Sequence, residues 1–237
     1  MTRSMQFRLV LGAIAGLLLA PAALRAQAIS PVISEYHGKG QGYFQITNDT
    51  IFPLDVVLEP FSFVANEKGQ PVYGPLEPNL HVRLSATSFR LSPKQVYTVY
   101  YDASADVLPA WFSIYATVTR ANNHSDVRVA FQLPHTVYLL PPTTVNRDSV
   151  QVNRIVRLAD GKVGVEIENL GKDYARVQEV DLFTNSGKKV FPGFPFFPHQ
   201  RRILVLSPDR GAEPQKVVIK FPKFKVEEPV DGSGAAR

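Results

Sequence analysis

The 237-residue chain contains no cysteine, which removes disulfides, thiolate metal sites and thiol nucleophiles together. Histidine is scarce as well: His37, His81, His124, His135 and His199 never lie closer than eleven residues apart, so no local ligand spacing arises and no metal site is expected. The sequence has no Gly-x-Ser-x-Gly elbow, no Gly-rich phosphate loop and no His-Glu-x-x-His, the arrangements by which nucleophile, phosphate and zinc chemistry show locally. Glu166 and Glu168 alternate along a strand-like segment, the pattern of a solvated face rather than of a catalytic pair. These absences together predict a protein that is not an enzyme and carries no cofactor.

Long apolar runs are missing except at the start. Arg3 and Arg8 precede an apolar stretch from Leu9 to Leu19, and Ala26-Gln27-Ala28 follows. This is the form of a secretory signal, residues 1–28, cut after Ala28. The run falls short of the roughly 20 residues that span a bilayer, and Pro21 follows it. Removal takes Arg3, Arg8 and Arg25 and lowers the net charge from +5 to +2, so no concentrated basic face is left for nucleic acid. The expected exported chain of 209 residues is long enough for two apolar cores and, without disulfides, must rely on them.

What is abundant is punctuation. Nineteen prolines and fifteen glycines break the chain into short segments rich in Val, Ile, Tyr, Phe and Thr, an all-β pattern. Strands are expected at 42–48, 52–64, 88–92, 95–102, 110–120 and 127–140, then at 149–159, 162–170, 175–184, 188–194, 201–207 and 215–226. Pro141-Pro142 cannot continue a ladder and stiffens the join between the two sets. The expected architecture is therefore two immunoglobulin-like β-sandwich domains, 29–142 and 143–228, with a disordered tail over 229–237.

Two stretches stand out. "FPGFPFFPH" (191–199) sets four phenylalanines among three prolines, read as an interrupted strand packing into the second sandwich or against the first. "VRVAFQLPHTVYLL" (127–140) carries Val127, Val129, Phe131, Leu133, His135, Val137 and Leu139 on its odd positions. At roughly 3.3 Å per residue it would reach about 40 Å, longer than one domain's core covers. His135 reads as a sheet residue that finds a partner at the domain junction. Trp111 lies in "AWFSIYATV", which alternates like a core strand and offers no stacking platform for a sugar.

The segments "FQITNDT" (44–50), "FRLSPKQVYTVYY" (89–101), "VRVAFQLPHTVYLLPP" (127–142) and "VGVEIENLGKDYARVQEVDLF" (163–183) with "LSP" (206–208) together resemble the periplasmic pilus-assembly chaperones of the PapD type. Their order and spacing, not any one of them, carry the resemblance. It implies a periplasmic protein that binds pilus or fimbrial subunits by donor-strand complementation, lending the long strand 127–140 to a fold that lacks its own last strand, and hands them to an outer-membrane usher. Val127, Val129, Phe131 and Leu133 are then the side chains that enter the subunit. The resemblance also implies an Arg on the first strand and a Lys late in the long strand that anchor the subunit's terminal carboxylate. "ISPVISEY" has no basic residue and "PHTVYLL" offers only His135, so His135, Lys94 and Arg128 are the candidate substitutes. The usual Pro-Gly of the loop is Pro93-Lys94, which marks a divergent branch. A free chaperone of this kind is expected to leave an apolar edge accessible or to cap it as a homodimer. The alternative is a surface or adhesive structural protein of two sandwiches, in which 127–140 is only a long core strand.

Overall fold

A computed structural model of the protein describes residues 28–121 and 129–230. The expected signal up to Gln27, Val127, Arg128 and the tail from 231 onward lie outside the described residues. Ten strands come first: β1 (Ala28–Ser30), β2 (Ile33–His37), β3 (Gly40–Thr47), β4 (Leu54–Ala65), β5 (Pro71–Pro75), β6 (Leu80–Leu84), β7 (Ser88–Leu91), β8 (Val96–Ala105), β9 (Ala110–Arg120) and β10 (Ala130–Leu140). They form one sheet in the order β1-β3-β8-β6 and a second in the order β2-β10-β9-β4-β5, with β7 also on β4.

Period-2 alternation sets which face each strand buries. Phe112, Ile114, Ala116 and Val118 of β9 share one core with Leu54, Val56 and Leu58 of β4 and Phe44 and Ile46 of β3. The chain changes sheets at Pro31 and Val32, so that β1 pairs with β3 while β2 pairs with β10 in parallel. Buried Asn48 closes the far end. Its amide donates to the carbonyls of Phe52, Leu91 and Ser92, and its oxygen accepts from the Thr50 amide and hydroxyl.

Seven further strands follow a 3-10 turn at Arg147–Ser149: β11 (Val150–Arg157), β12 (Val163–Asn169), β13 (Ala175–Thr184), β14 (Gly187–Phe196), β15 (Arg201–Leu206), β16 (Pro214–Lys220) and β17 (Lys225–Pro229). They make the sheets β11-β12-β15 and β14-β13-β16-β17 around a second core. The molecule is thus two β-sandwiches. The expected single strand over 215–226 is two: Pro222 has no N–H for a ladder, and the Phe221 amide donates to the Phe224 carbonyl (2.9 Å) across a tight turn. The phenylalanine-proline stretch divides its rings. Phe194 and Phe196 enter the second core, while Phe197 joins Phe63, Tyr138 and Tyr174 in a cluster between the sandwiches. Gly193 is required there, since a Cβ would lie 2.1 Å from the Val177 carbonyl oxygen.

Other contacts fix the join. Trp111 does not face the core of its own strand's alternation; its ring lies 4.6 Å from that of Phe197 and its indole N–H donates to the Phe63 carbonyl at 2.7 Å. The β4–β5 turn reaches β15, where the Ile203 amide donates to the Glu67 carbonyl at 2.8 Å. The Arg202 guanidinium is packed between the Phe194 ring, 3.8 Å away, and Gly69, where a Cβ would stand 2.2 Å from its Cζ.

Candidate functional site

Along one edge β10 is paired with β9 from Ala130 to Leu139. Along the other, β2 covers only Thr136 to Leu140, so from Ala130 to His135 that edge has no strand paired with it among the described residues. The Thr136 N–H donates toward this side, to the Val32 carbonyl at 2.8 Å. Strand alternation then turns the N–H and C=O of Ala130 and Gln132 and the C=O of Pro134 outward on the bare stretch. Pro134 contributes no donor, so the edge offers two N–H and three C=O groups.

The side chains change environment along the same strand. On the odd face Val129 and Phe131 are 55% and 50% exposed, Leu133 packs partly on the first core, and Val137 and Leu139 are fully buried. Val129 and Phe131 border an apolar hollow of about 320 Å³ with Phe52, Leu54 and Val118. Arg120 closes its rim, its Cζ 3.5 Å over the Phe52 ring.

The two described candidate anchor residues, His135 and Lys94, do not come together. His135 is wholly buried, neither at the junction nor on a solvated face as the sequence suggested. Its partners are the Pro31 carbonyl at 2.7 Å and the Tyr101 hydroxyl at 3.1 Å, both within the first sandwich. The reason is periodicity: His135 shares the odd face with Val137 and Leu139, which points inward at this level. Desolvation by burial lowers its pKa, outweighing the Pro31 carbonyl's pull in the other direction, and the ring stays neutral. Lys94 sits in the β7–β8 loop at φ +62° with its ammonium on the Asp49 carbonyl. That is the end of the sandwich where β10 begins, about 30 Å along the strand from the junction. Val127 and Arg128 lie outside the described residues.

A cation absent from the sequence reading reaches the cleft between the sandwiches. Arg176 of β13 meets the Glu35 carboxylate of β2 and lies beside the rings of Tyr138 and Tyr174, 5.7 and 5.9 Å away. A hollow of about 180 Å³ opens next to this pair, lined by His37, Leu140, Pro141 and Lys223 among others. Glu35 and Arg176 stand 141 residues apart, and no local pattern links them.

No protein-family model matches the sequence, and no curated protein matches it. The fold does find counterparts: solved structures of chaperones share its two-sandwich architecture. The chain is similar to CfaA, a class 5 fimbriae chaperone, with a TM-score of 0.53 at 11% identity over 87% of this chain and 100% of that one. A chain from a chaperone–tip adhesin complex of CFA/I fimbriae biogenesis gives 0.53 at 12% identity, covering 86% of this chain and 98% of that one. The YadV chaperone gives 0.52 at 13%, covering 86% and 100%. At such identities the likeness establishes a shared fold.

Proposed function

We propose that this protein is a periplasmic, non-enzymatic chaperone that holds fimbrial subunits by lending them the bare edge of β10 and passes them to an outer-membrane usher. The observation that carries this is the combination on Ala130–Leu133 of an unpaired edge and exposed apolar side chains. A strand missing from a partner's sheet is replaced by one that supplies main-chain hydrogen bonds and alternate side chains. Covering what is still exposed of Val129 and Phe131 contributes about 2–3 kcal/mol, and each added main-chain bond about 1 kcal/mol. Association costs subtract from this, so a subunit is held yet can be released.

The anchor for a subunit's terminal carboxylate is then Arg176, on the second sandwich, with Glu35 as the internal carboxylate that an incoming one displaces. Glu35→Gln should tighten subunit binding and Arg176→Gln should weaken it.

Co-expression with an exported fimbrial subunit from the same organism should yield a one-to-one complex. Phe131→Asp should abolish it while the chaperone's melting transition survives. A folded Phe131→Asp protein that captures the subunit undiminished would falsify the strand assignment and return the protein to the reading of a two-sandwich surface protein.

A further inference from the structure

His135 is the last residue of β10 before β2 takes up its edge, and every polar atom of its ring is engaged. The Pro31 carbonyl can only accept, so Nδ1 carries the hydrogen. The neutral ring then leaves Nε2 as an acceptor for the Tyr101 hydroxyl, which in turn accepts from the Tyr36 hydroxyl at 2.9 Å. The imidazole also stacks on Phe44, 4.8 Å between centroids. One side chain thereby ties β10 to the crossover at Pro31 and, through two phenols, to β2 itself.

The chain of bonds runs in this direction only while the ring is neutral. A proton on Nε2 turns it into a donor, so that Tyr101 must accept from it and donate to Tyr36 instead, and it leaves a cation in a closed space. The groups that face it are Tyr101 from β8, Phe44 from β3, the Pro31 carbonyl from the crossover and, behind Tyr101, Tyr36 from β2. Its cross-strand neighbour on β9 is Ile114. No carboxylate meets the ring among the described residues, so the cation has no counter-charge unless the ring reaches water. Of the two strands paired with β10, β2 has the shorter hold, five residue pairs against ten for β9.

We propose that His135 is an acid-sensitive latch: neutral, it keeps β2 on β10; protonated, it lets β2 go and lengthens the bare edge from Ala130–His135 to Leu140. Its consequence for a bound subunit rests on the chaperone reading, but the latch itself belongs to the free protein.

The test is amide hydrogen exchange on the partner-free mature chain at pH 7.5 and pH 5.0, with exchange times scaled for the intrinsic chemistry. Amides of 33–37 and 136–140 should lose at least tenfold in protection relative to those of β12 in the second sandwich. In His135→Gln, whose amide can donate to Pro31 and accept from Tyr101, the difference should vanish. Equal protection at both pH values, or a loss that persists in His135→Gln, overturns the proposal. If that variant does not fold, an NMR titration of the native imidazole decides: a pKa below the ordinary value supports the latch, and one at or above it overturns it. Normal subunit capture by a protein with pH-independent protection sinks the latch and leaves the chaperone reading standing; failed capture with acid-labile protection does the reverse.

Discussion

From Ala130 to Pro134 and from His135 to Leu140, β10 is one strand with one period in two environments. The second half is gripped on three sides. Val137 and Leu139 enter the first core, Tyr138 joins the cluster between the sandwiches, and β2 covers the edge. The first half is paired with β9 alone, and of its side chains Leu133 reaches the first core in part. The comparison shows that an apolar alternation states which residues share a face and leaves open whether anything covers that face. It also shows how an apolar edge is kept usable. Anchoring one end holds the other extended, and the bare part is short, with Pro134 withholding a donor where another strand would pair; short length and proline are how exposed edges avoid indiscriminate pairing.

Val137→Ser and Val129→Ser make the same change on the same face, eight residues apart, and should bracket the scale. Val137 is fully buried. Removing its methyls forfeits about 1.5–3 kcal/mol of burial, and enclosing a hydroxyl adds about 1–3 kcal/mol unless it finds a partner. Urea unfolding should therefore show a loss of about 3 kcal/mol or more. A loss under about 0.5 kcal/mol, typical of surface sites, would mean that the second half is no better packed than the first.

Acid should act on the second half alone. The folded state holds the His135 pKa below the ordinary value, so the unfolded chain binds the proton more readily. Stability is then full above about pH 6.5, the unfolded value, and falls as the pH drops below it. Urea midpoints from pH 8 to pH 5 should trace this decline in the native protein. His135→Gln should flatten the part due to the ring, and an identical slope in both proteins would exclude the imidazole as its source.

How far this division is legible in the sequence differs by residue. Over 110–120 the alternation Ala110, Phe112, Ile114, Ala116, Val118 defines a strand whose expected and observed limits coincide, because both faces are committed. β2, "ISEYH", has no buried residue; its place comes from hydrogen bonds to β10, and nothing in five mostly polar residues announces a partner about a hundred positions away. The same holds for β5, a short strand between prolines with no buried residue, whereas β6 was within reach of such reading, since Leu80, Val82 and Leu84 alternate onto the first core. The break at Pro222 was readable, since a proline cannot donate within a paired strand, and the flanking apolar run concealed it. His135 was readable too: its odd position between Leu133 and Val137 points inward, whereas treating it as a basic group suggested the surface. The pairing of Glu35 with Arg176 lies beyond such reading, because it exists only once the two sandwiches are set against each other.

Pro134→Ala would restore an outward N–H on the bare half. Folding stability should fall by about 0.5–1 kcal/mol, from the greater freedom of the unfolded chain. Subunit binding should tighten by about 1 kcal/mol, roughly fivefold, from the added main-chain bond, and self-association of the free protein should rise with it. Unchanged affinity would place the subunit somewhere other than this edge.

The smallest effect on folding is expected at Val129→Ser. Val129 precedes the paired strand and is more than half exposed, so its unfolding free energy should stay within about 0.5 kcal/mol of the parent, as surface substitutions do. Subunit affinity should nevertheless drop about fivefold, because the half of the side chain now in water is what a partner's groove would cover, about 1 kcal/mol of burial. Measured side by side, Val137→Ser should lose folding and Val129→Ser should lose binding. If instead Val129→Ser costs stability and spares the subunit, the first half of β10 is packed against its own chain in solution and cannot be the strand that is lent.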